Sequence, residues 1–296
     1  MSERVHHPRQ STAPPFAAGV DEADRGGAEQ LAADQQVRRR LRDRRAVRWT
    51  LVVADKSLIV VMTVLLTLLA QLVITQFHVP EYQLPPPSQV LLVFKDEPWT
   101  LWHSTLTTLK EIAIGLSIGL AFGLVLGALI AESRIARKLV APYVVALVST
   151  PLIVFAPLFA IWFEYGLMAK VLMIILMTFA PLTVNAIQGF LSLDNDKYEL
   201  MRSLSASRLE INVKARFPNA LPFIFSGAKI SAVMSVIAVV AAEFIGSQSG
   251  LGAMVYRAQT IARSDELIAA ALILIAIGLC LFYGVAAIQK RVVFWQ

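Results

Sequence analysis

Six long apolar stretches alternate with shorter polar ones along the chain. They run from about Leu58 to Phe77, Leu106 to Ile130, Val140 to Phe163, Val171 to Phe190, Ile224 to Ile245 and Leu267 to Ile288. Each holds ~20 residues, enough to cross ~30 Å of hydrocarbon. An apolar segment in lipid must satisfy its own backbone hydrogen bonds, so each is expected to be a helix. Nothing in the pattern resembles the ~10-residue alternating strands of a membrane barrel. The pattern therefore predicts an all-α membrane protein with six transmembrane helices.

Proline and glycine refine the pattern. Leu84-Pro85-Pro86-Pro87-Ser88 cannot begin as a helix and reads as an extended linker. Pro151 and Pro157 break the third span, either as ordinary kinks or beside a pathway. Gly115, Gly119, Gly123 and Gly127 recur every fourth residue and share one face of the second span. Such a face lets another backbone come close, whether a helix of the same subunit or one of a second copy.

Composition agrees: 56% of the 296 residues are hydrophobic and only 16% charged, with a mean hydropathy of +0.63. A soluble fold would need more polar surface than this. The single cysteine, Cys280, excludes a disulfide framework within one chain. His6, His7, His78 and His103 have no zinc-like spacing, so neither a metal nor a cofactor is expected.

The net charge of +6 is unevenly placed, and 11 of the 27 Lys and Arg lie in residues 1–56. The run Arg38-Arg39-Arg40-Leu41-Arg42-Asp43-Arg44-Arg45 stands just before the first span, where it suits anionic lipid headgroups better than nucleic acid. Residues before it are rich in Ala, Gly, Pro and acids, so residues 1–56 are expected to form a disordered, basic cytoplasmic tail. No apolar segment precedes Arg38, and no cleavable signal is expected there. Placing the tail inside also puts Arg134, Arg137, Lys138, Lys197, Arg202, Arg208, Lys214, Arg216, Lys290 and Arg291 inside, and leaves only Lys95, Arg257 and Arg263 outside, with Lys170 at a border. By the positive-inside rule both termini are cytoplasmic.

The polar stretch Asp194–Pro222 lies between two spans but does not read as a loose loop. Asp194 can cap a helix through Lys197 to Leu204, and Ser207 with Glu210 has capping-box spacing for a second short helix. Pro218 and Pro222 are expected to end that second helix and lead into the fifth span. Leu200, Leu204, Leu209, Ile211 and Val213 give the hairpin an apolar side. It can dock a soluble partner or pack on its own bundle.

These residues resemble the signature of bacterial ABC-importer permeases, written E-A-A-x-x-x-G with I-x-L-P downstream. Here it stands as Glu199-Leu200-Met201-Arg202-Ser203-Leu204-Ser205, then Ala215-Arg216-Phe217-Pro218. Glu199 and Pro218 match, while Leu200, Met201, Ser205 and Phe217 depart from the pattern. Arg202–Arg208, Pro218–Ile224, Leu84–Val90, Pro157–Gly166 and Ala242–Gly252 look like the nitrate/sulfonate/taurine branch of that family. The resemblance spans about Ser57 to Arg291, so a six-span permease domain of the type I ABC-importer kind is expected over 57–291, with its coupling hairpin at 194–222.

The resemblance implies a permease subunit that pairs with a second copy in the bilayer. Cytoplasmic ABC ATPase subunits would grip the hairpin, and an extracytoplasmic binding protein would deliver a small solute. It places Glu199, Leu200, Met201, Arg202, Leu204, Ser205 and Pro218 at the ATPase contact, with Arg208 also able to pair with the partner. The residues supply one independent support: no Gly-Lys pair occurs, so no phosphate loop of the usual kind is present, and the chain is not expected to be an enzyme.

Glu243, Trp162 and Asn185 are the candidates for a pathway or gate, because charged and polar groups inside a membrane are costly. Glu243 also fits an interfacial carboxylate paired with a residue such as Lys110. A secondary transporter driven by an ion gradient is the rival class. It would place coupling carboxylates near the bilayer centre, whereas Glu111 and Glu243 lie toward span ends.

Overall fold

The computed structural model describes Leu58, residues 61–77 and residues 79–295. The basic tail expected at 1–56 lies outside the described residues, as does His78. The chain divides into two compact units, residues 1–69 and 70–296. The described part of the first is apolar helix whose leucines, Leu65, Leu66, Leu68 and Leu69 among them, are exposed. That helix belongs to α1 (Val61–Gln76).

Every regular element of the second unit among its described residues is a helix. Two short elements, α2 (Pro87–Asp96) and α4 (Arg134–Leu139), flank the long α3 (Pro98–Glu132). Next come α5 (Ala141–Ser149), a 3-10 turn (Leu152–Phe155), α6 (Ala156–Trp162) and α7 (Leu167–Leu191). The expected hairpin is α8 (Asn195–Ser203) and α9 (Arg208–Ile211), followed by a π-helical turn (Asn212–Arg216), α10 (Phe217–Phe244), α11 (Leu251–Thr260) and α12 (Ser264–Val292).

Four of these helices are long and apolar enough to cross a membrane: α3, α7, the helix from Arg208 through α10, and α12. The third expected span is a bent pair, Arg134–Ser149 and Leu152–Trp162, meeting at 87°. The elbow falls at Thr150 and Pro151, the first of the two prolines suspected there, while Pro157 sits in the first turn of α6, where its missing N–H costs nothing. The first expected span is the shorter α1.

Helix α3 packs on α7 through the glycine stripe. Gly115 faces Ile174, Gly119 faces Thr178, Gly123 faces Phe179 and Leu182, and Gly127 faces Thr183 and Ala186. A methyl group at any of the four would collide with α7. The stripe is thus filled within the subunit. Lipid supplies no hydrophobic drive between helices, so close approach and hydrogen bonds must hold them. Thr183 Oγ1 donates to Gly123 O across the seam at 3.1 Å, and Ser231 Oγ ties α10 to Thr178 O at 2.6 Å.

The structure corrects two expectations about proline. Pro218 and Pro222 do not end the second hairpin helix: Arg208–Phe244 is one continuous helix. A proline ring clashes with the carbonyl four residues earlier. For Pro218 that residue is Lys214, inside the π-helical turn, whose wider winding opens the space. Likewise the Leu84–Ser88 linker is extended only as far as Pro86, and Pro87 begins α2.

Candidate functional site

Two polar constructions stand at opposite ends of the bundle. At one end is the hairpin. Asp194 Oδ1 accepts from Asp196 N and starts α8. The helix closes in a Schellman arrangement: Ser205 N–H donates to Arg202 O and Ala206 N–H to Met201 O, with Ser205 at φ +58°. Ser207 then opens α9 with the capping box, its hydroxyl accepting from Glu210 N while Glu210 Oε2 accepts from Ser207 N. A helix stop and a helix start are thus joined by Ala206 alone. Glu199, Leu200, Arg202, Leu204 and Ser205 are exposed, while Met201 and Pro218 are half-buried. Leu200, Leu204 and Leu209 are 61%, 74% and 72% exposed, an apolar rim that the bundle does not cover.

At the far end α3, α7, α10 and α11 meet around buried charge. Glu243, near the end of α10, is fully buried. Its Oε1 accepts from Thr108 Oγ1 at 2.7 Å and its Oε2 from Gly252 N at 2.6 Å. Thr108 Oγ1 also accepts from Leu251 N at 2.9 Å. Two side chains from other helices therefore satisfy the first N–H groups of α11, which need partners at any helix start. A carboxylate at a helix N-terminus is also favoured by the helix dipole. Gly250 must be glycine, since it holds φ +108° and a Cβ there would strike the Glu243 carboxylate.

One turn along α3 from Thr108, Glu111 Oε1 accepts from Lys170 Nζ of α7 at 2.6 Å, with both side chains under a tenth exposed. The expected pairing of Glu243 with Lys110 is not formed: Lys110 is exposed, and the buried cation is Lys170. Because α3 starts at Pro98 rather than near Leu106, its polar first turns are carried into the bundle, and their buried face is Ser104, Thr108 and Glu111. Sequence reading missed Thr108 and Lys170 as partners. The signal was the three-residue spacing of Thr108 and Glu111, which puts both on one helix face.

The three pathway candidates are not brought together. Trp162 ends α6 and is 62% exposed. Asn185 donates to Pro181 O and lines an apolar cleft of about 440 Å³ between the Pro151 elbow, α7 and α10. Glu243 belongs to the buried cluster, away from that cleft.

Against known proteins, residues 119–294 match the family model described as the binding-protein-dependent transport system inner membrane component. The chain is 32% identical over 226 residues to a probable ABC transporter permease protein of Haemophilus influenzae, covering 76% of this chain and 92% of that one. It is 31% identical over 222 residues to the taurine transport system permease protein TauC of Escherichia coli, covering 72% and 80% respectively. Among solved structures, a chain of the MetNI methionine ABC transporter in an inward-facing conformation superposes with a TM-score of 0.58 at 20% identity, covering 66% of this chain and 98% of that one. The chain belongs to the binding-protein-dependent transport system inner membrane component family. It is the permease subunit of an ATP-binding-cassette importer, a multi-pass inner-membrane protein of all-α fold. Nothing in these likenesses favours an ion-driven secondary transporter.

Proposed function

We propose that the α8–α9 hairpin is the dock for cytoplasmic ABC ATPase subunits, and that this permease works as a homodimer fed by an extracytoplasmic binding protein. The carrying observation is the uncovered apolar rim of Leu200, Leu204 and Leu209 on a hairpin capped at every helix end that it exposes. Exposed apolar groups on a rigid, polar-capped element fit a groove on a soluble partner. Glu199, Arg202 and Ser205 are exposed on the same hairpin and add polar groups to the contact, while Met201 and Pro218 are half-buried and add packing. On this reading the hairpin end, both termini and the basic tail are cytoplasmic. The Glu243 cluster then lies toward the outer face, where the binding protein releases its solute. The solute is a small one of the nitrate, sulfonate or taurine type.

The test uses the whole transporter, purified with its ATPase, with uptake of labelled taurine, alkylsulfonates and nitrate measured beside it. Ser205→Trp and Glu199→Lys are expected to insert normally, to lose ATPase retention and to lose uptake. Full retention and full uptake in both variants would remove the hairpin from the mechanism.

A further inference from the structure

Between the hairpin and the bundle lies a cleft of about 500 Å³, closed beneath by the ends of α3 and α7 at Ala131 and Leu191. Arg134, Arg137, Arg208 and Arg216 all line it, against the single carboxylate Glu132. That carboxylate is already engaged, accepting from Arg216 Nη1 at 3.0 Å and from Asn212 Nδ2 at 3.2 Å. Arg216 also lies over the Tyr198 ring at 5.3 Å, so its place is fixed. Among the described residues, Arg134, Arg137 and Arg208 make no ion pair. Arg137 Nη2 donates to Ala131 O at 2.7 Å, which turns the guanidinium inward, yet its buried Nε has no acceptor.

Four guanidiniums facing one occupied carboxylate leave a net charge of three in a small concave space. A multi-oxygen anion would balance that charge: guanidinium forks match its oxygens two at a time. We propose that this cleft binds a phosphate-bearing anion, either the headgroup of an anionic phospholipid or free phosphate. Its level favours such a ligand, since it opens where the spans α3 and α7 end. Basic pockets between helices at the cytoplasmic face suit phospholipid headgroups. The walls come from both the bundle (Arg134, Arg137) and the hairpin (Arg208, Arg216), so an anion seated there braces one against the other. The cytoplasmic placement rests on the proposed function, but the binding itself does not need the ATPase.

The test takes the full chain purified in detergent, with bound lipid removed. One arm titrates it with short-chain phosphatidylglycerol, using phosphatidylcholine as control, and the other with inorganic phosphate. Binding is read by native mass spectrometry and by the shift in thermal midpoint. Arg137→Gln and Arg208→Gln should each weaken binding about tenfold or more, while Lys290→Gln, a basic residue outside the cleft, should leave it unchanged. The midpoint of each variant without ligand checks that it is folded. Saturation by phosphate identifies a free-anion site, and saturation by phosphatidylglycerol alone identifies a headgroup site; both support the proposal. It is overturned if neither probe binds, if Lys290→Gln weakens binding equally, or if Arg137→Gln and Arg208→Gln bind both probes as tightly as the unaltered chain.

Discussion

At the scale of single residues, the cluster around Glu243 and Glu111 is where substitution should cost most. Glu111 and Lys170 are both nearly inaccessible and bonded at 2.6 Å. Removing one member of such a pair strands the other charge away from water, which costs about 3–5 kcal/mol, whereas replacing both by well-packed groups can be neutral. Lys170→Met is therefore expected to lower the thermal midpoint sharply in detergent, and Glu111→Leu combined with Lys170→Met to recover most of the loss. A double variant no more stable than Lys170→Met would show that the pair acts through something other than its charges. Gly250→Ala should be severe for a separate reason, the collision with Glu243 at a backbone angle that alanine resists. Its expected signature is loss of stability comparable to that of Glu243→Ala, because both undo the start of α11.

At the scale of elements, the hairpin turn makes a sharper forecast. Ser205 occupies the left-handed region, which costs a non-glycine residue roughly 1–2 kcal/mol. Ser205→Gly should keep the Schellman bonds and hold or raise stability, with uptake unchanged. Ser205→Pro cannot reach φ +58° and loses the N–H that bonds Arg202 O, so uptake should vanish. A tolerated proline would mean that the hairpin turn is not needed in this form. The capped hairpin was readable beforehand because Asp194, Ser207 and Glu210 announce helix starts through chemistry local to the backbone. So was the glycine stripe, whose period alone fixes a face, although choosing α7 over a second copy required the fold. Helices α2 and α11 were not readable as such. The first begins on the last residue of a triple proline, and the second depends on N-terminal partners brought from two other helices, Thr108 of α3 being far away in sequence. The continuation of α9 into α10 was missed because proline was read as a stop, while a π-helical turn upstream makes room for its ring. The arginine cleft was hidden for a similar reason: its members come as two pairs far apart in sequence and converge only when α4 and the hairpin fold against the same helix ends.

At the scale of the whole molecule, orientation is the first thing to measure. The uneven placement of Lys and Arg predicts that reporters fused at Ser2 and at Gln296 both read cytoplasm, and that one inserted after Gln89 reads the outside. A cytoplasmic reading at Gln89 would overturn the six-span arrangement. A deeper consequence lies in the helix from Arg208 to Phe244, which at 37 residues and about 1.5 Å per residue reaches ~55 Å. It carries the proposed ATPase dock at one end and Glu243 at the other, with no flexible joint between. Events at the two faces are then linked by one free energy, and linkage is reciprocal. If nucleotide on the ATPases changes the affinity for the loaded binding protein by some factor, the loaded binding protein must change the affinity for nucleotide by the same factor. Loosening the Glu243 end should shrink both factors together, so damage at that end would be legible as altered nucleotide affinity at the other.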